Sequence, residues 1–153
     1  MANAHFYMQR YDVAEQKKDL QEAFNGLVYV ECKGLSDKGK PKNVYTESYS
    51  DAEEDRVFIP ETVYYEPTEV NMTFIFLGDT RRDVYDSFCN YISHGKFYYW
   101  DTERHRKVNI TLLSPINVDD DVFKTSSKYI MVTFTFTNLL GNSVKCNDNG
   151  VAE

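Results

Sequence analysis

This chain has little of what stapled or metal-bound domains rely on. Cysteine occurs three times in 153 residues, at Cys32, Cys89 and Cys146. The three are far apart, odd in number and form no CxxC pair, which argues against a disulfide framework or a zinc site. Reduced thiols in a cytoplasm are the expected state. His5, His94 and His105 have no metal-ligand spacing. Positive charge is also short: 17 Lys and Arg stand against 24 Asp and Glu, a net charge of −7. That balance argues against a free nucleic-acid-binding domain, which usually shows a basic face. No apolar run approaches the roughly 20 residues of a membrane span. The opening "MANAHFYMQRYD" lacks the apolar core of a signal peptide. The sequence holds no GxGxxG, GxxxxGK[ST] or GxSxG motif. Internal repeats and low-complexity segments are absent as well.

What the chain does have is aromatic and alternating. It carries 12 Tyr and 10 Phe, a bias that favours strands. In "YIMVTFTFTN", Ile130, Val132, Phe134 and Phe136 alternate with Met131 and three threonines. A period of two with one apolar face predicts a half-buried strand. "VNMTFIF" and "KVNITLL" repeat the pattern, "GLVYVECK" and "VFI" read as strands, and "HFYM" and "NVYTESY" as weaker ones. One helix is expected over about 80–94, with Val84, Phe88 and Ile92 as its stripe. Asp79 or Thr80 would be its N-cap and Gly95 its C′ residue. "DVAEQKKDLQEAF" reads as a second, short helix. The order predicts one domain over 1–153, mainly β (α+β), an antiparallel sandwich or barrel with one packed helix.

The stretch with most chemical promise is "FCNYISHGKFYYWD", which puts Cys89, His94 and Asp101 within fourteen positions. On a helix, Cys89 and His94 fall about 140° apart around the axis and do not share a face. Cys89 then reads as a small apolar filler, His94 as a helix end and Asp101 as a turn residue. A thiol enzyme built on Cys89 is the competing reading. "VDDDVF" and "NDNG" could offer calcium oxygens but lack a full ligand series, and solvated acidic loops are the expectation. In "FYYW", Phe97 and Tyr99 would share one face, Tyr98 and Trp100 the other. Both faces therefore need cover, and a partner subunit is the expected cover on one. The same Tyr98 and Trp100 would also serve a carbohydrate-binding sandwich as stacking rings. "ERHRK", with Arg104 and Arg106, reads as a subunit salt-bridge cluster.

Residues 34–56 hold a basic half, Lys38, Lys40 and Lys42, and an acidic half, Asp51, Glu53, Glu54 and Asp55. They predict a projecting hairpin whose charges pair with an adjacent subunit. Residues 142–153 read as a polar, frayed tail.

The run from Glu69 through "FCNYISHGKFYYWDTERHRKVNITLL" to "YIMVTFTFTNLLG" resembles tail proteins of long-tailed bacteriophages. The likeness is to the N-terminal domain of distal tail proteins and the related tail-tube fold. Phe74, Phe76, Gly78, Phe88, Ile92, Gly95, Trp100 and Asp101 carry it, over roughly residues 57–141. The resemblance implies a structural subunit and no enzyme, cofactor or metal. It implies a ring, six-fold in that family, around a channel that DNA crosses without specific binding. Other tail proteins would be the further partners, with assembly in a host cytoplasm and residence in the virion tail. Acidic charge on such a lumen would repel the DNA backbone and keep it mobile.

Overall fold

Ten strands and one long helix make up the computed structural model, which describes residues 4–47 and 56–153. The strands are β1 (Phe6–Arg10), β2 (Lys18–Asp19), β3 (Leu27–Lys33), β4 (Tyr45–Glu47), β5 (Arg56–Phe58), β6 (Thr68–Leu77), β7 (Lys96–Asp101), β8 (Arg106–Thr111), β9 (Tyr129–Asn138) and β10 (Val144–Lys145). Helix α1 (Leu20–Ala23) is one turn and α2 (Arg81–Ile92) is three. A 3₁₀ turn spans Asp120–Phe123. The fold is mainly antiparallel β with a single substantial helix, as the sequence predicts.

Eight strands form one sheet in the order β2-β1-β7-β8-β9-β6-β3, with β10 added on β8. The sheet turns at β8. Its far end, Ile110 and Thr111, pairs with Asn138 and Thr137 of β9. Its near end, Arg106 and Lys107, pairs with β10. Two layers result, and their inner faces meet: Phe6 of β1 stacks on Tyr29 of β3 at 3.8 Å between ring centroids. The alternation seen in the sequence sets which residues face in. Val70, Met72, Phe74 and Phe76 of β6 and Ile130, Val132, Phe134 and Phe136 of β9 are all buried. The β6–β9 register aligns these rows, with Phe74 opposite Val132 and Phe76 opposite Ile130. Cross-strand apolar pairs of this kind stabilise a sheet by about 0.2–1 kcal/mol each.

Helix α2 covers the open side of this core through Tyr85, Phe88 and Ile92, while Val84 is only partly buried. Its ends differ from expectation. Thr80 holds the N-cap position without a side-chain bond. The Arg81 guanidinium instead donates to the carbonyls of Gly78 and Ser127. Ser93 is the C-cap, its hydroxyl donating to the Cys89 carbonyl at 2.6 Å, so Gly95 already belongs to the approach into β7. The second predicted helix shrinks to α1. Lys18 and Asp19 pair with Met8 and Tyr7 of β1 before the helix starts, and Val13 is exposed. Leu20 is buried and Phe24 partly so, but Val13 is the only large apolar residue ahead of them in that stretch, and it is exposed, so one turn is all that packs.

The segment read as a frayed tail folds back instead. Cys146 forms a bridge with Ala152, and Asn147 N–H donates to the Val151 carbonyl at 3.0 Å. Gly150 lies on the Trp100 ring, where a Cβ would come within 2.6 Å of a ring carbon. Only a residue without a side chain fits there.

Candidate functional site

The three residues of the promising stretch do separate work. Cys89 is half-buried on α2, and burial pushes its thiol pKa up. A raised thiol pKa is the opposite of an activated nucleophile. The His94 ring bonds the Asn90 carbonyl through Nδ1 at 2.7 Å. Asp101 is fully buried. Its Oδ1 accepts from the backbone N–H of Glu103 at 3.1 Å and of Arg104 at 2.5 Å. Its Oδ2 accepts from the Arg104 guanidinium at 3.1 Å and from the Tyr99 hydroxyl at 3.3 Å. The carboxylate is a turn-closing group with both oxygens engaged.

Around it sits a cluster with a pH signature. Burial raises the pKa of Tyr29 and of Tyr99, and it pushes the Cys32 thiol up to about 11. In the unfolded chain these groups would titrate near 9.0 for the thiol and 10.0 for the phenols. Between those values and the raised ones, the folded chain holds protons that the unfolded chain has released. Stability is therefore full below about pH 8.5 and falls as pH rises further. A melting temperature flat from pH 7 to 8 and dropping from about pH 9 upward is expected, with a shallower drop in Tyr29→Phe. An equal drop in that variant would assign the effect to other groups.

Strand β7 presents two faces, as predicted. Phe97 and Tyr99 enter the core, and Tyr98 and Trp100 face the other way. The cover on Trp100 is the chain's own residues 144–153 rather than a partner subunit. Trp100 is 1% exposed, and its indole N–H donates to the Asp148 carbonyl at 3.2 Å. Lys107 donates to the Gly150 carbonyl at 2.9 Å and lies 4.0 Å over the Tyr98 ring. Tyr7 stacks on Trp100 and Tyr11 on Tyr98. This corrects the expectation that Trp100 meets a neighbour or a sugar: it has no free ring face. Arg104 is likewise committed to Asp101 and to the Tyr29 hydroxyl at 3.1 Å. Arg106 is exposed at the start of β8.

The acidic stretches are turns. Asp119 and Asn147 each accept backbone N–H groups two residues on, at 3.0 and 2.9 Å. One grouping escaped the sequence reading because β1–β2 pairing creates it. His5, Asp19 and Glu22 bring ligand-type atoms within 4.8 Å of one another. Within it the His5 ring bonds Asp19 at 2.7 Å, and Asp19 also caps α1 through Gln21 N–H.

The surface that remains unexplained lies at the predicted hairpin. Strands β4 and β5 pair as a separate two-stranded ribbon, with Tyr45 opposite Phe58. Asp51, Glu53, Glu54 and Asp55 lie outside the described residues. Lys38, Lys40 and Lys42 are exposed at the ribbon's base. The base is anchored through main chain: Gly39 N–H donates to the Gly141 carbonyl at 2.8 Å, Glu66 N–H to Lys40 at 2.8 Å, and Lys42 N–H to Tyr64 at 3.0 Å. Gly141, at φ 62°, makes this close approach possible, since a Cβ there would sit 2.0 Å from the Glu66 carbonyl oxygen. Beside the base a groove of about 180 Å³ is lined by Lys42, Tyr64, Tyr65, Leu139, Leu140 and Val144, among others. The ribbon exposes Tyr45, Val57 and Phe58, and Ile59 just beyond it is 68% exposed.

A scan against protein-family models found no match, and neither did a search of curated proteins. Among solved structures the chain is similar to the Dit protein (gp 19.1) of phage SPP1, described as a paradigm of the hub adsorption apparatus in phages infecting Gram-positive bacteria. The TM-score is 0.51 at 11% identity, over 92% of this chain and 52% of that one. The chain thus spans about half the length of this neighbour, and what the two share is the fold. No helix among the described residues is long and apolar enough to cross a membrane.

Proposed function

We propose that this chain is a structural subunit of a bacteriophage tail that works as a ring. The observation that carries the reading is the fold shared with the phage hub protein across 92% of the chain. Ring assembly fits the physics of the surface. Exposed Val57, Phe58 and Ile59 and an apolar groove on one chain favour association with further copies. The exposed edge of β3 is the kind of strand that oligomers cover. In this reading the ring is hexameric and encloses a DNA channel. The −7 net charge keeps the DNA backbone from adhering to it. Lys38, Lys40, Lys42, Arg106 and the carboxylates of Asp51, Glu53, Glu54 and Asp55 form subunit contacts, together with other tail proteins as neighbours. The role requires no catalytic residue and no cofactor. The protein acts in the virion tail after assembly in a host cytoplasm. Burial of Trp100 removes the main support for a sugar-stacking module.

Light scattering on the purified chain, with negative-stain images of the same peak, tests the proposal. Closed rings or short stacks are expected as concentration rises. A strict monomer at the highest attainable concentration would overturn it.

A further inference from the structure

His5, Asp19 and Glu22 reach one point from three places in the chain. His5 precedes β1, Asp19 ends β2 and Glu22 lies in the single turn of α1. Backbone contacts hold each in place. The His5 N–H donates to the Thr102 hydroxyl at 2.9 Å, and the His5 carbonyl accepts from the Thr102 N–H at 3.0 Å. Asp19 stands opposite Tyr7 in the β1–β2 register, and Tyr7 follows His5 by two residues on the same face. The Tyr7 and His5 rings stack at 6.0 Å between centroids. Asp19 Oδ1 accepts from the Gln21 N–H at 3.1 Å, the bond that starts the turn carrying Glu22. The three donors are thus held in position by the fold itself.

The charge at this point is one-sided. The Asp19 side chain is 7% exposed, and among the described residues no Lys or Arg pairs with Asp19 or Glu22. The two lysines beside Asp19 in sequence turn elsewhere, Lys17 to the Asn149 side chain at 3.3 Å and Lys18 to Glu15 at 3.0 Å. Burial, and after it the charges of Asp19 and Glu22, push the Tyr7 hydroxyl pKa up, so both carboxylates act on one spot. A buried carboxylate beside a second carboxylate calls for a cation.

The distances suit a small one. One donor atom from each residue lies within 4.8 Å of the other two, and His5 Nδ1 is 2.7 Å from Asp19 Oδ2. Donors around a tetrahedral Zn²⁺ sit about 2.0–2.2 Å from the ion and so roughly 3.3 Å from one another. The two observed distances bracket that value, and the exposed Glu22 side chain can turn to close the remaining gap. One imidazole with two carboxylates suits Zn²⁺ or a similar divalent transition ion, whereas Mg²⁺ and Ca²⁺ prefer oxygen donors alone.

We propose that His5, Asp19 and Glu22 bind a divalent transition cation, with Zn²⁺ the best fit. The His5 ring, 45% exposed, keeps its one proton on Nε2, and its Nδ1 lone pair takes the ion. Asp19 gives Oδ2, Glu22 gives one carboxylate oxygen, and water fills the fourth position. The ion ties β2, the two-residue outer strand of the sheet, to β1 and α1. The site goes beyond the ring reading and does not depend on it.

Calorimetric titration of the full-length chain with Zn²⁺, after treatment with a chelator, tests the site. One ion per chain is expected. His5→Gln keeps an N–H toward Asp19 and removes the imidazole donor, and Glu22→Gln alters one exposed side chain. Thermal melts without metal check that both fold as the parent does. Each should weaken Zn²⁺ binding by at least about tenfold. His94→Gln, outside the grouping, should bind as the parent does. Zn²⁺ should also raise the melting temperature of the parent and leave those of His5→Gln and Glu22→Gln nearly unmoved. A parent chain that takes up no Zn²⁺ at about millimolar concentration would overturn the proposal. Parent-like affinity in either His5→Gln or Glu22→Gln would overturn it too, by assigning the ion to the thiols or to other histidines.

Discussion

Phe88→Ala should cost about 3–5 kcal/mol, the range for deleting a buried phenylalanine where the surroundings cannot collapse. Phe88 has no exposed surface and is the hub of the ring cluster. It meets Phe24 at 5.2 Å, Phe74 at 5.2 Å, Phe76 at 5.9 Å and Phe134 at 5.3 Å between centroids. Those neighbours come from both strands of the β6–β9 pair and from the segment after α1. Phe74, Phe76 and Phe134 are held by strand register and Phe24 by the end of α1, so none can swing in to fill the void. Edge-to-face pairs add about 0.5–1.5 kcal/mol beyond burial, which places this site toward the upper part of the range. For a chain of this size the melting temperature should fall by roughly 10 °C or more. Urea titration with an unchanged slope would show that stability, not compactness, has changed. A loss below about 1 kcal/mol would mean that α2 does not seat on the core through this residue.

The helix and the two long strands were legible because burial there follows the sequence period. Ile130 to Phe136 alternate without a break and Val70 to Phe76 with Thr73 as the one exception, and the structure places each apolar row inward. Phe88 and Ile92 lie four apart on the same helical face. What could not be read depends on main-chain contacts far apart in sequence. The cover on Trp100 is made by the carbonyl of Asp148 and by Gly150, which leave no apolar signature. A stretch such as "NDNG" looks like a solvated end for that reason. The two-faced pattern of β7 did announce that something covers Trp100, and only its source differed. The His5, Asp19 and Glu22 grouping stayed hidden because fourteen residues separate His5 from Asp19. The groove was equally out of reach, since it joins residues near 64 to residues near 140. The basic half of the hairpin was legible, and its placement beside that groove was not.

Asp101→Ala should be the most damaging polar substitution, with a loss of about 3–4 kcal/mol. The carboxylate is buried and holds four donors, two of them backbone N–H groups of the turn that leads into β8. Removing it leaves those N–H groups without their acceptor and takes one of the Tyr99 hydroxyl's partners from the core. The Arg104 charge is partly exposed and can turn to water, which keeps the cost below that of a fully enclosed pair. Asp101→Asn keeps one acceptor oxygen for the turn but sets an amide against the guanidinium, so about half that loss is expected. The turn also fixes Arg106 and Lys107, where β10 pairs. Asp101→Ala should therefore loosen residues 144–153 as well as the core. Two probes report this directly. Trp100 emission should shift to the red as the Gly150 cover lifts, and Cys146, 1% exposed in the parent fold, should become reactive toward a thiol reagent. Loss of stability with both probes silent would confine Asp101 to the core layer. Loss with both probes responding would make it the post that holds the turn, the β8 edge and the cover on Trp100 in one place.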